Sequence, residues 1–136
     1  MPAMTASDLS AFLRNTFPQA HPECLTVGDG FIRFDYEATE SDLRPGNTVS
    51  GPTLMALSDT AMYLAVLAAI GPVALAVTTS LNINFLRKPR AGKLTVEATL
   101  LKLGKRLAVG EVFVRSEHAP EPVSHATVTY SIPPER

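Results

Sequence analysis

Hydrophobic and polar residues alternate in five segments of this 136-residue chain. In Phe31–Ala38, for example, Ile32, Phe34 and Tyr36 are separated by charged residues. Apolar side chains at every second position are typical of a β-strand with one buried face. The pattern predicts strands at residues 31–38, within 73–86, and at 94–100, 108–115 and 126–132. A turn at 28–30 precedes the first strand. A second turn, at Gly104-Lys105, joins the strands at 94–100 and 108–115 in a hairpin.

A short amphipathic helix is predicted near the N-terminus. Its apolar residues at helical spacing are Leu9, Phe12, Leu13 and Phe17. Ser7 can cap its first turn, and Pro18 ends it. We interpret these positions as packing residues.

A longer helix is predicted over residues 51–70. Ser50-Gly51-Pro52 is a helix-start signal, and Gly71-Pro72 ends the segment. The segment approaches the length of a membrane span, but Ser58, Asp59 and Thr60 lie near its middle, without basic anchors close to its ends. We therefore interpret it as a buried helix of a soluble protein.

The order of these elements is a short helix, a strand, a long helix and then four strands. It predicts an α+β fold in which an antiparallel sheet curves around one central helix, as a single domain over residues 1–136 with a helical segment at 1–20. Because the long helix is apolar on more than one face, five strands would leave part of it uncovered. We therefore expect self-association into a dimer.

Composition argues against several kinds of binding partner and site. The formal charge of −1, with 12 basic and 13 acidic residues, gives no overall attraction to nucleic acid or to an anionic membrane. The single cysteine, Cys24, excludes an internal disulfide and a thiolate metal cluster. His21, His118 and His125 lack ligand spacing to other donors, so we expect no metal. The N-terminus has no signal-peptide pattern, and we expect a cytoplasmic protein.

Asp59 is the most informative residue, because it is a carboxylate within an apolar helical segment. Removing a charge from water costs several kcal/mol or more unless a partner compensates for it. Asp59 is therefore predicted to be buried, and either to be hydrogen-bonded for structural reasons or to take part in catalysis. The residue types alone leave both readings open.

Several short motifs together resemble one family. They are Thr48-Val49-Ser50-Gly51-Pro52, Leu57-Ser58-Asp59-Thr60-Ala61, Asn82-Ile83-Asn84-Phe85-Leu86-Arg87, Ala91-Gly92 and Gly104-Lys105. Over about residues 30–132 the chain resembles the hotdog-fold acyl-CoA thioesterases, specifically the branch of phenylacetate-pathway (PaaI-like) thioesterases. In that family the helix normally opens with His-Gly-Gly, and an asparagine lies six residues before the histidine. Here Ser50-Gly51-Pro52 and Arg44 occupy those places.

The resemblance implies hydrolysis of acyl-CoA thioesters to free acid and coenzyme A, without a metal or an organic cofactor, by a homodimer or homotetramer. It implies that Asp59 activates water or attacks directly, and that Gly51 polarises the thioester carbonyl. Thr78 matches a position at which a hydroxyl can place the attacking water.

The helix start supports the same role for Gly51. Backbone N–H groups at a helix N-terminus are unpaired and favour negative charge, so the Gly51 N–H suits an oxyanion, whereas Pro52 has no N–H. Gly51 and Asp59 lie eight residues apart, about 12 Å at 1.5 Å per residue. One thioester cannot contact both within a single helix. An active site shared between two subunits is therefore predicted.

Basic residues could bind the phosphates of coenzyme A. Arg87, Lys88, Arg90 and Lys93 cluster at the end of a predicted strand, and Lys105 and Arg106 lie in another loop. The rest of the predicted substrate-binding set is Arg44, Ser50 and Asn82. Each basic residue could equally be part of a solvated loop.

Two other classes of function stay open. One is a noncatalytic hotdog module that binds acyl-CoA or a related ligand, with Arg44 and Ser50-Gly51-Pro52 marking altered catalysis. The other is a structural oligomer in which Asp59 is fully hydrogen-bonded. A hotdog hydratase is disfavoured, because the residue five positions after Asp59 is Leu64 rather than histidine.

Overall fold

The computed structural model describes residues 2–16 and 22–134. The two α-helices of this part of the chain are α1, Ala6–Thr16, and α2, Gly51–Ile70. The strands are β1, Glu23–Gly28; β2, Phe31–Ala38; β3, Leu43–Arg44; β4, Thr48–Val49; β5, Val77–Phe85; β6, Gly92–Leu103; β7, Leu107–Ser116; and β8, Ala119–Ser131. A 3₁₀ turn, Glu40–Asp42, precedes β3.

An antiparallel sheet wraps around α2. Within the described residues it has six strands in the order β1-β2-β6-β7-β8-β5, while β3 and β4 form a separate two-stranded ribbon. This is the predicted hotdog architecture, and the α+β prediction is confirmed. β1 and β5 are the edge strands, so β5 pairs only with β8 among the described residues.

The predicted alternation sets the inner face of the sheet. In β2, Ile32, Phe34 and Ala38 are buried, and in β6 the same holds for Leu94 and Val96. Polar residues of these strands point outwards, where Asp35 accepts a hydrogen bond from the Thr95 hydroxyl at 3.1 Å. The inner side chains pack against α2 and form one core.

α2 begins and ends as its sequence predicts. The Ser50 hydroxyl accepts a hydrogen bond from the Thr53 N–H, and Pro52 occupies the first turn. At the other end Gly71 has a φ of 100°, which a side chain would disfavour. By length and composition α2 could cross a membrane, but most of its apolar window is buried inside this protein. The continuous stretch Ala61–Ala68 is buried because the sheet surrounds it.

The structure also corrects the predicted elements. The sheet has a sixth strand, β1, which the sequence did not predict because its alternation is limited to Leu25 and Val27, on either side of Thr26. β5 begins only at Val77, since residues 73–76 form a turn that leads into it. The first helix is capped by Thr5 rather than by Ser7. The Thr5 N–H donates to the Asp8 carboxylate at 3.0 Å, and the Asp8 N–H donates to the Thr5 hydroxyl at 3.1 Å. Phe17 and Pro18 lie outside the described residues.

Candidate active site

A cavity of about 670 Å³ lies alongside α2. Its walls come from α1, β2, the 3₁₀ turn, α2, β5 and β8, and they are largely apolar. The lining residues are Leu13, Pro22, Phe34, Tyr36, Asp42, Thr53, Ala56, Leu57, Asp59, Thr60, Tyr63, Ala76, Val77, Thr78 and Tyr130. Cavities of this size and character commonly bind small organic groups.

Asp59 lies on the wall of this cavity with its carboxylate held by two hydroxyl groups. The Thr78 hydroxyl donates a hydrogen bond to Asp59 Oδ1. The Tyr130 hydroxyl lies 3.0 Å from the same oxygen and 3.2 Å from the Asp59 carbonyl oxygen. Thr78, predicted to place a water, therefore directly contacts the predicted catalytic acid.

The expectation that Asp59 is buried is wrong for the single chain, in which the residue is partly exposed. Asp59 sits on the flank of α2 beside β5, and β5 is the edge of the sheet. Because no further strand of the described chain covers that edge, solvent reaches the carboxylate through the cavity. The neighbouring Ser58 is buried instead, and its hydroxyl donates a hydrogen bond to the Leu54 carbonyl at 2.9 Å.

Tyr130 is the residue at this site whose role the sequence did not reveal. The alternation of β8 predicts an inward-facing core residue, and the side chain is only 3% exposed. Burial, the largest influence, raises the pKa of its hydroxyl far above the usual 10, and the nearby Asp59 carboxylate raises it further. The hydroxyl therefore stays protonated at neutral pH and remains a donor. A tyrosine at an inward strand position was itself a signal, because a buried phenol usually needs a hydrogen-bond partner.

Gly51 lies at the first turn of α2, and it is not among the residues that line the cavity. It packs against the ring of Phe85, so closely that an added Cβ would lie 3.3 Å from Phe85 Cζ. Asp59 lies two turns further along the same helix. The single chain therefore does not bring Gly51 and Asp59 to one point.

Ser50 and Arg44 lie at the edge of this region rather than in the cavity wall. Ser50 Oγ accepts a hydrogen bond from the Thr53 N–H at 3.3 Å and lies 2.9 Å from the Thr53 hydroxyl. Its side chain is thus used to cap α2. Arg44 is exposed in β3, opposite Thr48. Their predicted contacts with substrate stay predictions.

A second carboxylate on the cavity wall, Asp42, was not predicted. It accepts hydrogen bonds from the Tyr36 hydroxyl at 2.9 and 3.0 Å and from the Thr39 N–H at 3.0 Å. Burial first, and then the bond to Asp42, raises the pKa of Tyr36. The Thr39-x-x-Asp42 spacing matches a capping box, and it could have indicated the role of Asp42 from the sequence. These bonds give Asp42 a structural role in the turn before β3.

The predicted phosphate-binding residues fall into two groups at opposite ends of the sheet. Arg87, Lys88 and Arg90 follow the Phe85 end of β5, while Lys105 and Arg106 lie in the turn between β6 and β7. The strand register places that turn near the Val77 end of β5, because Leu107 and Val77 both pair with Ser131. The two ends of β5 are eight residues or roughly 26 Å apart. One chain therefore does not bring the two groups together.

Other predicted polar residues are located on the surface. Arg87 donates a hydrogen bond to the Pro122 carbonyl at 2.8 Å, and Asn82 is exposed on β5. His125 lies 2.9 Å from a Glu111 carboxylate oxygen on the sheet. Between residues 2–16 and 22–134, no three His, Cys, Asp or Glu side chains gather as a metal-binding group. His21 lies outside those ranges.

Residues 46–123 match the sequence profile of the thioesterase superfamily. The chain belongs to this superfamily. Hydrolysis of thioesters is the general chemistry that this membership supports. The match includes α2 with Asp59, the edge strand β5 with Thr78, and most of the sheet.

Solved structures of related proteins agree with this assignment. A protein from Silicibacter sp. TM1040, whose name proposes a thioesterase, is 44% identical, with a TM-score of 0.85 over 98% of this chain and 95% of that chain. A phenylacetic acid degradation-related protein from Ralstonia eutropha JMP134 is 26% identical, with a TM-score of 0.76 over 89% and 98% of the two chains. A Streptococcus mutans protein bound to acetyl CoA shares the fold, with 20% identity and a TM-score of 0.75 over 84% and 90%. The predicted resemblance to hotdog thioesterases of the phenylacetate branch is confirmed.

Proposed function

We propose that this superfamily member hydrolyses acyl-CoA thioesters to a free acid and coenzyme A, with Asp59 as nucleophile or general base. The observation that carries the proposal is the placement of Asp59. Its carboxylate faces a largely apolar cavity and is held by the Thr78 and Tyr130 hydroxyls. A carboxylate fixed beside an apolar cavity can act on the carbonyl of a bound acyl group.

Two routes lead to the same products. As a general base, Asp59 takes a proton from water while the water oxygen bonds to the carbonyl carbon; the C–S bond then breaks, and the departing thiolate takes up the proton. As a nucleophile, the carboxylate bonds to that carbon and expels the thiolate, and water then hydrolyses the resulting anhydride. Both routes place negative charge on the carbonyl oxygen, which needs a donor such as the Gly51 N–H.

The donor would come from a second subunit, and the packing of α2 on β5 supports this arrangement. Gly51 lies against Phe85 near one end of β5, and Asp59 contacts Thr78 near the other end. Pairing two β5 edges antiparallel about a two-fold axis near Leu81 would place the Thr78 end of one strand beside the Phe85 end of the other. Asp59 of one subunit would then approach Gly51 of the other, giving two equivalent sites.

The same edge of the molecule has the properties of an interface. β5 has one free edge among the described residues, and such an edge readily pairs with another strand. Large hydrophobic side chains are also exposed on and around it: Met55, Leu75, Val77, Phe85 and Leu86. We therefore propose a homodimer as the active form, with a tetramer as a further possible assembly.

Substrate binding follows from the same dimer. The two-fold axis would bring Arg87, Lys88 and Arg90 of one subunit towards the end of the partner sheet that carries Lys105 and Arg106, where coenzyme A phosphates could contact both groups. The S. mutans protein, which has this fold, is bound to acetyl CoA, and this supports an acyl-CoA substrate here. The acyl group would occupy the cavity between Phe34, Leu57 and Val77. Coenzyme A is part of the substrate, and the proposed reaction needs no other cofactor. A cytoplasmic location stays a prediction.

The deciding experiment measures thiol release from a panel of aromatic and straight-chain acyl-CoAs. Asp59→Asn should lower the rate at least about 100-fold, because a positioned acid or base typically contributes that much. Asp35→Asn is a matched control, since Asp35 also accepts a hydrogen bond from a threonine hydroxyl but lies on the outer face of the sheet. A folded Asp59→Asn variant with native activity would contradict the proposal.

A noncatalytic acyl-CoA-binding module is the second candidate. It is favoured by Pro52, which has no N–H to offer at the helix start, and by the exposed Arg44 in place of the family asparagine. This candidate predicts coenzyme A binding without thiol release from any member of the panel by the native protein.

A further inference from the structure

We propose that Tyr130 is a positioning residue which, together with Thr78, holds Asp59 Oδ1 and leaves Oδ2 as the oxygen that reacts. The inference rests on the proposed function and adds to it a residue and a choice between the two carboxylate oxygens. Tyr130 lies on β8, and three strands separate β8 in sequence from the helix that carries Asp59.

The two donors converge on one oxygen. The Thr78 hydroxyl donates to Asp59 Oδ1, and the Tyr130 hydroxyl lies 3.0 Å from that same atom. Within residues 2–16 and 22–134, these are the side-chain hydrogen bonds to the Asp59 carboxylate, and neither reaches Oδ2. A carboxylate held through one oxygen keeps the lone pairs of the other free for a water proton or for a carbonyl carbon.

The strand register explains why these two hydroxyls meet. Thr78 of β5 is the cross-strand partner of Tyr130 of β8, so their side chains are neighbours on one face of the sheet. The register shifts just after this pair, because Ser80 rather than Thr79 is opposite Thr129. A bulge of this kind re-aims side chains and is common beside active sites. It brings Thr78 to Asp59 while the rest of β5 keeps its pairing.

Tyr130 is itself held firmly enough to position another group. Its side chain is 3% exposed, and its ring lies 6.1 Å from the Tyr63 ring at an interplanar angle of 45°. Its hydroxyl is also 3.2 Å from the Asp59 backbone carbonyl, so it contacts the residue at two points. The bond to the charged carboxylate oxygen is the shorter and stronger of the two.

Both hydroxyls donate to an acceptor oxygen of the carboxylate, and so they orient it towards the cavity. The titratable groups that face the cavity are Tyr63 on α2, Tyr36 on β2, Asp42 on the 3₁₀ turn and Tyr130 on β8. Lysine, arginine and histidine are absent from the described lining. Hydroxyl donors therefore take the place that a cationic partner would otherwise have. Removing one of them leaves the carboxylate less firmly oriented.

The test compares Tyr130→Phe with the native enzyme on its best acyl-CoA substrate. Loss of this hydroxyl should lower kcat about ten-fold, as expected for a lost hydrogen bond to a charged group, with KM changed by less than about two-fold. The effect should fall on kcat, because the reacting oxygen is less well oriented while the cavity keeps its shape. Thr78→Val should lower kcat in the same way, and Thr78→Ser, which keeps the hydroxyl, should restore it.

Ser124→Ala is the matched control. Ser124 lies on β8, the strand that carries Tyr130, and its side chain is buried. Its hydroxyl has no hydrogen-bond partner in the described part of the chain. Its removal deletes a buried hydroxyl from β8 far from Asp59, so kcat should stay unchanged. A kcat of Tyr130→Phe that matches that of Ser124→Ala would overturn the inference. So would a change in KM alone.

A measurement without substrate separates this inference from the proposed function. The ¹³C signal of the Asp59 carboxylate at pH 7, assigned from Asp59→Asn, should change its chemical shift in Tyr130→Phe and in Thr78→Val, because each variant loses one hydrogen bond to Oδ1. An unchanged signal in both variants, with native melting curves, would overturn the positioning role. Absence of thiol release by the native enzyme, together with a changed signal in the variants, would contradict the proposed hydrolysis and leave the positioning role supported.

Discussion

At the start of α2, the ring of Phe85 lies against Gly51, which has no side chain to keep it away. This contact fixes the environment of the N–H that the proposed mechanism assigns to the thioester oxygen. Phe85 is 51% exposed, so its ring is free to move when crowded. A substitution at Gly51 should therefore affect the anion site more than it affects the stability of the fold.

We expect Gly51→Ala to lower kcat/KM about ten-fold or more, because the new Cβ would occupy space beside the N–H and displace Phe85. The free energy of unfolding should change by less than about 1 kcal/mol. Gly28→Ala is a suitable control, since Gly28 ends β1 and its Cβ would make only ordinary contacts of 3.6 Å with Phe31. Equal activity of the two variants would show that the Gly51 N–H does not approach the thioester.

The site residues differ in how well the sequence reveals them. Asp59 was recognisable because an isolated carboxylate in an apolar helix needs an explanation. Tyr130 was not recognisable as a site residue, because an aromatic residue at an inward strand position is usually part of the core. Only the pairing of β5 with β8 shows what its hydroxyl contacts. Asp42 was missed because turns are rich in aspartate for purely local reasons.

Among the elements, α2 and the strand β7 approach each other unusually closely. Gly110 of β7 faces Met62 of α2, and an added Cβ would lie 2.6 Å from Met62 Sδ and 2.9 Å from the Thr99 carbonyl oxygen. The methionine could adjust, but the backbone of β6 could not. This contact lets the central helix sit deep in the sheet.

Gly110→Ala should therefore destabilise the protein by about 1–3 kcal/mol, the usual cost of overpacking a core. Chemical denaturation followed by circular dichroism would measure the loss. Gly28→Ala serves as the comparison, because its Cβ would make only ordinary contacts of 3.6 Å with Phe31. Similar midpoints for the two variants would argue against close packing of α2 on β7.

Most elements were predictable because one face of each is buried and the other is exposed. Alternation located β2, β6, β7 and β8, and the capping signals located both ends of α2. β1 escaped prediction because it is a short edge strand in which only Leu25 and Val27 alternate and pack against the core. The positive φ of Cys24, 52°, interrupts the extended backbone just before these residues.

At the scale of the whole molecule, the proposed site depends on two chains. Because Asp59 and Gly51 lie at different points of α2, each subunit would supply one half of each site. The sequence indicated this through the eight-residue separation alone. The strand order, which makes β5 an edge, could not be predicted because it depends on pairing between distant segments.

Mixing two variants of low activity tests the shared site. Asp59→Asn and Gly51→Ala, unfolded together and refolded, should form mixed dimers in which one site has a native Asp59 and a native Gly51. Random assortment would restore about a quarter of the native sites. Light scattering should give twice the 14.6 kDa chain mass. Failure to regain activity beyond that of the separate variants, in confirmed mixed dimers, would contradict a site shared between subunits.

The position of β5 in the sheet also sets the order in which the molecule can mature. β5 hydrogen-bonds only to β8 among the described strands, and β8 is made last of all of them. A growing chain therefore carries β5 without its neighbour until about forty further residues have been added, and such late, long-range pairing is slow. Since β8 also supplies Tyr130, the arrival of one strand would close the sheet, create the dimerisation edge and secure Asp59 in a single event. A nascent chain would consequently gain its assembly surface and its acid at the same moment.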